Sequence, residues 1–304
     1  MRVSLSVNIG RFTLPNPVMV ASGTFGYGTE LTGFLNTKKI GAIVTKSISL
    51  HPKKGNSPPR IVETPSGMLN AIGLQNVGIE NFIKDKLPLL KKSGANIIVS
   101  IFGDSPEEYG EAARRLEMAG GIIAIEVNIS CPNRKKWNKI FAADPVLTSE
   151  VVKTVRDATS LPVIVKLSPN VTDIAEIALA AESSGADAIS AVNTFIGMAV
   201  NIETRRAELG AVTGGLSGPA IKPLALRMVW EISKKVKIPV IGIGGIMNAR
   251  DALEFLMVGA KAIQIGTATF VNPDSAMEII SGIEAFLKAK KIDSVEKIIN
   301  TFNG

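Results

Sequence analysis

One short pattern recurs along this chain and restricts its fold more than any other feature: a glycine, an alanine, then an apolar run. It stands at Gly41-Ala42-Ile43-Val44, Gly94-Ala95-Asn96-Ile97, Gly185-Ala186-Asp187-Ala188-Ile189 and Gly259-Ala260-Lys261-Ala262-Ile263. Glycine ends a helix readily because it enters the left-handed region without a Cβ clash, so each copy reads as a helix stop followed by a strand. A second cue is proline opening a strand, where no ladder donor is yet needed; it occurs at Pro162 and Pro239. Together these cues mark eight apolar runs, at 18–21, 42–45, 96–101, 122–127, 163–165, 188–192, 240–243 and 262–265. Near-continuous apolar runs are what parallel strands buried on both faces look like. Amphipathic stripes lie between them, as at Ile174, Ile177, Ala178 and Ala181, and at Ile279, Ile280, Ile283 and Leu287. Their spacing is that of one helix face. Eight strands alternating with helices predict an α/β fold, a (β/α)8 barrel of the TIM type, as one domain over residues 1–304. Residues 1–7 alternate with period two and read as the first strand of a short N-terminal β-hairpin. A doubly wound open sheet is the alternative topology.

The scarcest residues narrow the chemistry. The chain has one cysteine, Cys131, and one histidine, His51. That excludes an intrachain disulfide, a cysteine-ligated zinc, an iron–sulfur cluster held by this chain alone, and a histidine-rich metal site. No metal is expected. Any Ser-His-Asp triad would have to use His51, which lies in a turn-rich polar stretch after the second run and is given no role. Hydrophobic residues make up 46% and charged residues 20% of the 304, enough for a large core. Net charge is +7, from 34 Lys and Arg against 27 Asp and Glu. The basic residues are scattered in pairs, such as Lys53-Lys54 and Lys234-Lys235, and form no basic arm, so nucleic acid is not an expected partner. There is no signal-peptide pattern and no run of about 18 uninterrupted apolar residues, so a cytoplasmic chain without a membrane span is expected.

In such a barrel the active site lies at the C-terminal ends of the strands. Those positions hold Ser22, Lys46, Ser100, Asn128, Lys166, Asn193, Gly244 and Thr267. No Asp or Glu is among them, so Lys46 and Lys166 are expected to seek a bound anion; snorkelling to solvent at the rim is the plainer alternative. The last two runs lead into IGIGGI at 241–246 and IGTA at 265–268, which places bare backbone amides where barrels commonly bind phosphate. The spacing is not G-x-G-x-x-G, so a dinucleotide fold is rejected. After the fourth run, NISCPN at 128–133 puts the lone thiol in a polar loop on the same face. There Cys131 reads as a nucleophile or a proton acceptor, the plainer alternative being a small buried hydrophobe.

NPVMVASGTFGYG at 16–28 resembles the opening of the class 1B dihydroorotate dehydrogenase catalytic subunits. TKS at 45–47, NAIGLQN at 70–76, NISCPN at 128–133, VKLSPN at 165–170, AVNT at 191–194 and the two glycine loops continue the resemblance in order over nearly the whole chain. It implies an FMN-containing barrel that oxidises dihydroorotate to orotate in pyrimidine (UMP) synthesis. By carry-over, Ser22, Lys46, Ser47, Asn128, Lys166, Val192, Gly218, Gly244, Gly245, Gly266 and Thr267 hold FMN. Ser100 is a further cofactor position, where the family usually has an asparagine. Lys46, Asn70, Ala71, Ile72, Gly73, Leu74, Asn128, Asn133, Asn193 and Thr194 hold the substrate, and Cys131 is the base. The resemblance also implies a homodimer of barrels, each docked to an iron–sulfur flavoprotein partner that carries FAD and a 2Fe–2S cluster and passes electrons to NAD. Class 2 enzymes use a serine base behind an N-terminal membrane-binding extension, and the ASGTFG opening favours class 1B over the fumarate-using 1A. One departure is RKKWNKIF at 134–141, where the family usually has a glycine pair before its Phe; it bears on the electron acceptor. The alternatives are a tRNA-dihydrouridine synthase, a class 1 variant with another acceptor, or a non-catalytic flavin-binding subunit. Against the synthase, Ser130 rather than glycine precedes Cys131, and 38 residues follow Gly266.

Overall fold

The computed structural model describes residues 2–28, 30, 36–130 and 141–304. Eight parallel strands close into a barrel: β1 (Val18–Val20), β2 (Ala42–Val44), β3 (Ile97–Ile101), β4 (Ala124–Asn128), β5 (Val163–Lys166), β6 (Ala188–Ala191), β7 (Val240–Ile243) and β8 (Ala260–Ile265). Order along the chain and order around the barrel coincide, and β8 closes on β1. Each strand falls on one of the eight apolar runs. Side chains such as Met19, Ile43, Ile125 and Ile263 are fully buried, each burial being worth about 1.5–3 kcal/mol. Pro162 and Pro239 stand just before β5 and β7, and their carbonyls accept from Ile125 and Ile189.

The helices pack as their stripes dictate. Helix Ile174–Ser183 buries Ile174, Ile177, Ala178 and Ala181, and the Asp173 side chain caps it by accepting from the Ala175 and Glu176 amides. Helix Ser275–Ala289 buries Ile279, Ile283 and Leu287 and leaves Ile280 half-buried. Of the recurring glycines, Gly94, Gly185 and Gly259 are left-handed, at φ +69°, +99° and +118°. Gly41 departs from that expectation. It is not left-handed; a Cβ there would collide with the Asn16 and Val18 carbonyl oxygens. Close approach to β1, not helix termination, requires glycine at this position.

The N-terminal hairpin is present but lies further along the chain than expected. Val7–Ile9 pairs with Phe12–Leu14 through Gly10. Pro15, which has no N–H, follows the last paired residue. Residues 2–6 therefore find no antiparallel partner, and Ser4 instead bridges to Ser294.

A second sheet was not expected at all. Ile61–Thr64 and Gly67–Asn70, from the β2–β3 connection, join Thr213–Ser217 and Phe195–Met198, from the β6–β7 connection, in one four-stranded antiparallel sheet. Both connections leave the C-terminal ends of barrel strands, so the sheet ties two loops together over the face that should carry the site. Glycines make this possible. A Cβ on Gly214 would lie 2.6 Å from the Asn70 carbonyl oxygen, and one on Gly215 would strike the Thr194 hydroxyl. Among the described residues no helix is long and apolar enough to cross a membrane.

Candidate functional site

A continuous chain of hydrogen bonds crosses the C-terminal end of the barrel. Asn128 ends β4, and its carbonyl accepts from the Tyr109 hydroxyl at 2.8 Å. Its side-chain Nδ2 donates to Ser47 Oγ at 3.2 Å, while Oδ1 accepts from the Ser130 amide at 3.2 Å and from Asn193 Nδ2 at 3.4 Å. Ser47 Oγ in turn pairs with Ser100 Oγ at 2.8 Å. Residues from β3 and β4 and from just beyond β2 and β6, all expected to meet, do meet. Buried amides and hydroxyls satisfied in this way rigidify one another, because each bond is stronger away from water. Asn193 Oδ1 also accepts from the Thr194 amide at 2.8 Å, which fixes both of its amide ends.

Lys166, at the end of β5, is only 4% exposed. Its Nζ lies 3.4 Å from Ser22 Oγ and 3.7 Å from Glu126 Oε1. No carboxylate stands at the strand-end positions, as expected, but Lys166, expected to seek a bound anion, already faces one from inside the barrel. Glu126 sits in β4, two residues before Asn128, and is wholly buried. Its Oε2 accepts from Ser190 Oγ at 3.1 Å and from Gln264 Nε2 at 2.9 Å. Strands β4, β6 and β8 thus supply one interior layer, as alternate strands do in such barrels. Glu126 is not among the residues the sequence singles out, because run 122–127 is otherwise apolar. The available signal was the carboxylate itself, which is costly inside a buried strand unless it is paired.

Lys46, beyond β2, is half-buried. Burial holds its ammonium below the usual lysine value, and the nearby Arg60 charge pushes the same way against an opposing pull from Glu30. Arg60 is fixed by donating to the Asn56 carbonyl at 2.6 Å, to Gln75 Oε1 at 2.6 Å and to the Lys54 carbonyl at 3.1 Å. Residues 70–74 are pinned beside it. Asn56 donates from Nδ2 to the Ala71 carbonyl and from its amide to the Ile72 carbonyl. Gly73 and Leu74 are both left-handed, at φ +69° and +58°, a conformation that costs a leucine about 1–3 kcal/mol and marks a loop held in place by its surroundings. Asn70 Nδ2 donates to the Gly215 carbonyl at 3.2 Å, joining this loop to the added sheet.

The expected phosphate glycines divide into two kinds. Gly244 and Gly245 are left-handed, and Cβ atoms there would lie 2.7 Å from Ala225 Cβ and 2.6 Å from the Lys222 amide nitrogen. Gly218, also left-handed, lies against Gly67, whose Cα would be 2.8 Å from an added Cβ. Packing alone accounts for these three. Gly266 is different: its φ is ordinary, and the nearest atom to an added Cβ is Thr24 Cγ2 at 3.5 Å. Among the described residues nothing requires glycine just after β8. Beside it, Thr267 Oγ1 donates to Ser217 Oγ at 2.8 Å. Val192 is buried, and its amide donates to the Ile243 carbonyl.

Cys131 and Asn133 lie outside the described residues, as does most of the basic segment that follows. The described residue before them, Ser130, has a buried Oγ without a hydrogen-bond partner among the described residues.

A family model for dihydroorotate dehydrogenases matches residues 4–287 of this chain. The catalytic subunit of dihydroorotate dehydrogenase B (NAD(+)) from Trichlorobacter lovleyi is 55% identical over 304 residues, all of both chains. The proteins of the same name from Geobacter sp. strain M21 and Desulforamulus reducens are 55% and 53% identical, each over 98% of both chains.

Proposed function

The chain belongs to the dihydroorotate dehydrogenase family, and from that premise we propose that it oxidises dihydroorotate to orotate in pyrimidine synthesis, with FMN as its cofactor and Cys131 as the base. The observation that carries the cofactor reading is the pairing of Gly266, where a Cβ would make only ordinary contacts with Thr24 and Ala21 and no clash demands glycine, with the buried Lys166 ammonium. Bare amides beside Thr267 fit a phosphate, and a desolvated cation fits a ring that gains negative charge. The residues that would hold FMN are Ser22, Lys46, Ser47, Ser100, Asn128, Lys166, Val192, Gly218, Gly244, Gly245, Gly266 and Thr267. When bound, FMN supplies the hydride acceptor.

The chain's own residues do the rest. Oxidation of a carbon–carbon single bond removes a proton from one carbon and a hydride from its neighbour. Cys131 takes the proton. The amides of Asn70, Asn128 and Asn193 offer both donors and acceptors to the imide-like edge of the substrate. Thr194 and the pinned 70–74 loop complete its walls, and Asn133 is assigned to the substrate by the family resemblance alone. Lys46 offsets the substrate carboxylate. The relatives' designation as the catalytic subunit of an NAD(+)-type enzyme supports a second subunit. We assign to it the iron–sulfur flavoprotein role, docked on a homodimer of barrels and passing electrons to NAD.

Anaerobic mixing with dihydroorotate should bleach the flavin absorbance, and denaturation should release FMN. Release of FAD overturns the cofactor reading, and an unbleached flavin overturns the reaction. The isolated chain should reduce NAD poorly; efficient NAD turnover without a partner overturns the two-subunit route.

Lys46 carries a prediction with a sign. Its folded-state value is lowered, so at neutral pH its charged form is penalised by folding, and the penalty fades as pH rises from the folded value to the unfolded one. Lys46→Met should therefore raise the melting temperature of the ligand-free chain near pH 7, with a gain that shrinks at alkaline pH. It should also weaken orotate binding by roughly tenfold or more, about the worth of one charge-assisted hydrogen bond. Thermal scans across pH and an orotate titration check both halves. A variant that is no more stable yet binds orotate normally would remove Lys46 from the site.

A further inference from the structure

Glu126 is a wholly buried carboxylate that the reaction as described does not use. Three facts define its place. Oε2 is held by Ser190 Oγ and Gln264 Nε2, at 3.1 and 2.9 Å. Oε1 accepts no hydrogen bond and faces Lys166 Nζ at 3.7 Å. Gln264 Oε1, in the same interior layer, is also buried without a partner. The carboxylate is therefore clamped on one oxygen by neutral donors and aimed with the other at a cation whose one hydrogen bond among the described residues is to Ser22.

We propose that Glu126 is a positioning residue for Lys166: it fixes the ammonium at the floor of the site and attenuates the positive charge offered to the bound flavin, setting the flavin's reduction potential. This rests on the FMN reading above. A lone buried ammonium would favour an anionic reduced ring strongly, whereas a carboxylate behind it brings the pair close to neutral and weakens that preference. The pair thus trades some readiness to accept a hydride for easier onward loss of electrons.

Glu126→Gln separates charge from shape. The glutamine keeps an oxygen toward Lys166, and its new NH2 group can donate to the Gln264 oxygen once that amide turns over, which puts the Gln264 NH2 in the position that has no partner in the parent. With the negative charge gone, the two-electron reduction equilibrium of bound FMN should shift about tenfold toward the reduced form, which is about 30 mV upward. Glu126→Asp keeps the charge and should stay nearer the parent potential. A role in packing alone predicts the opposite order, since Gln is the isostere and Asp the one that leaves a void.

Equilibration against a reference dye measures these potentials. A Glu126→Gln potential equal to or below the parent's, or a larger upward shift in Glu126→Asp, overturns the proposal. A flavin-free measurement stands beside it. Lys166→Met should lower the melting temperature by about 5 °C or more, because it strands the carboxylate, and adding Glu126→Gln should restore most of the loss. A double variant no more stable than Lys166→Met shows that the two groups are not coupled and overturns the proposal. If the parent chain binds no FMN, the cofactor reading fails while this thermal comparison still judges the ion pair.

Discussion

Cys131→Ala should slow reduction of the bound flavin by dihydroorotate by roughly 10²- to 10⁴-fold, the usual worth of a general base, while the chain stays folded and yellow. The loop leading to the thiol is anchored: Asn128 is tied to Tyr109 and Ser47, and the Ser130 amide is bonded to Asn128 Oδ1. A free thiol ionises near pH 8.5, so the single-turnover rate of the parent should rise with pH through the neutral range. Cys131→Ser should keep part of the rate with its pH dependence moved upward, because a hydroxyl holds its proton more tightly. Stopped-flow traces under anaerobic conditions separate this step from reoxidation. A parent-like rate in Cys131→Ala would reduce the thiol to a structural role and leave the proton without an acceptor among the residues assigned here.

How much of this was legible beforehand follows from what each element buries. The barrel strands could be read because a parallel strand covered on both faces must be apolar along its length, as the fully buried 42–44 and 163–165 are. The lid-like sheet could not. Its strands are short and glycine-rich, and one face carries exposed Ile196 and Met198, so neither continuous nor clean alternating apolarity marks them. The strand-end polar residues were legible because a fold with a known active face turns position into function, and Ser100, Asn128 and Asn193 do form one bonded chain with Ser47, which the family resemblance alone names. Glu126 was not, since only the folded barrel shows that Ser190, Gln264 and Lys166 surround it. Gly41 shows the same limit on a smaller scale. The sequence contains the glycine, but whether it ends a helix or admits a neighbouring carbonyl is a tertiary fact.

That limit sharpens the test of the glycines at the phosphate end. Gly266→Val should fold with a stability within about 1 kcal/mol of the parent, because an added Cβ makes only ordinary contacts, the nearest with Thr24 Cγ2 at 3.5 Å. It should nevertheless bind FMN at least a hundredfold more weakly, about 2.7 kcal/mol, since the valine occupies the space proposed for the phosphate. Gly245→Val should lose the cofactor for another reason. At φ +72°, with the Lys222 amide nitrogen 2.6 Å from an added Cβ, it pushes the loop off the start of helix Lys222–Ser233, and the flavin-free chain itself should be destabilised by about 2 kcal/mol or more. Urea unfolding of the flavin-free chains and FMN titration by fluorescence quenching distinguish the two. Parent-like FMN affinity in Gly266→Val would mean that no ligand lies against β8, and a Gly266→Val chain as unstable as Gly245→Val would mean that packing explains this glycine as it does the others.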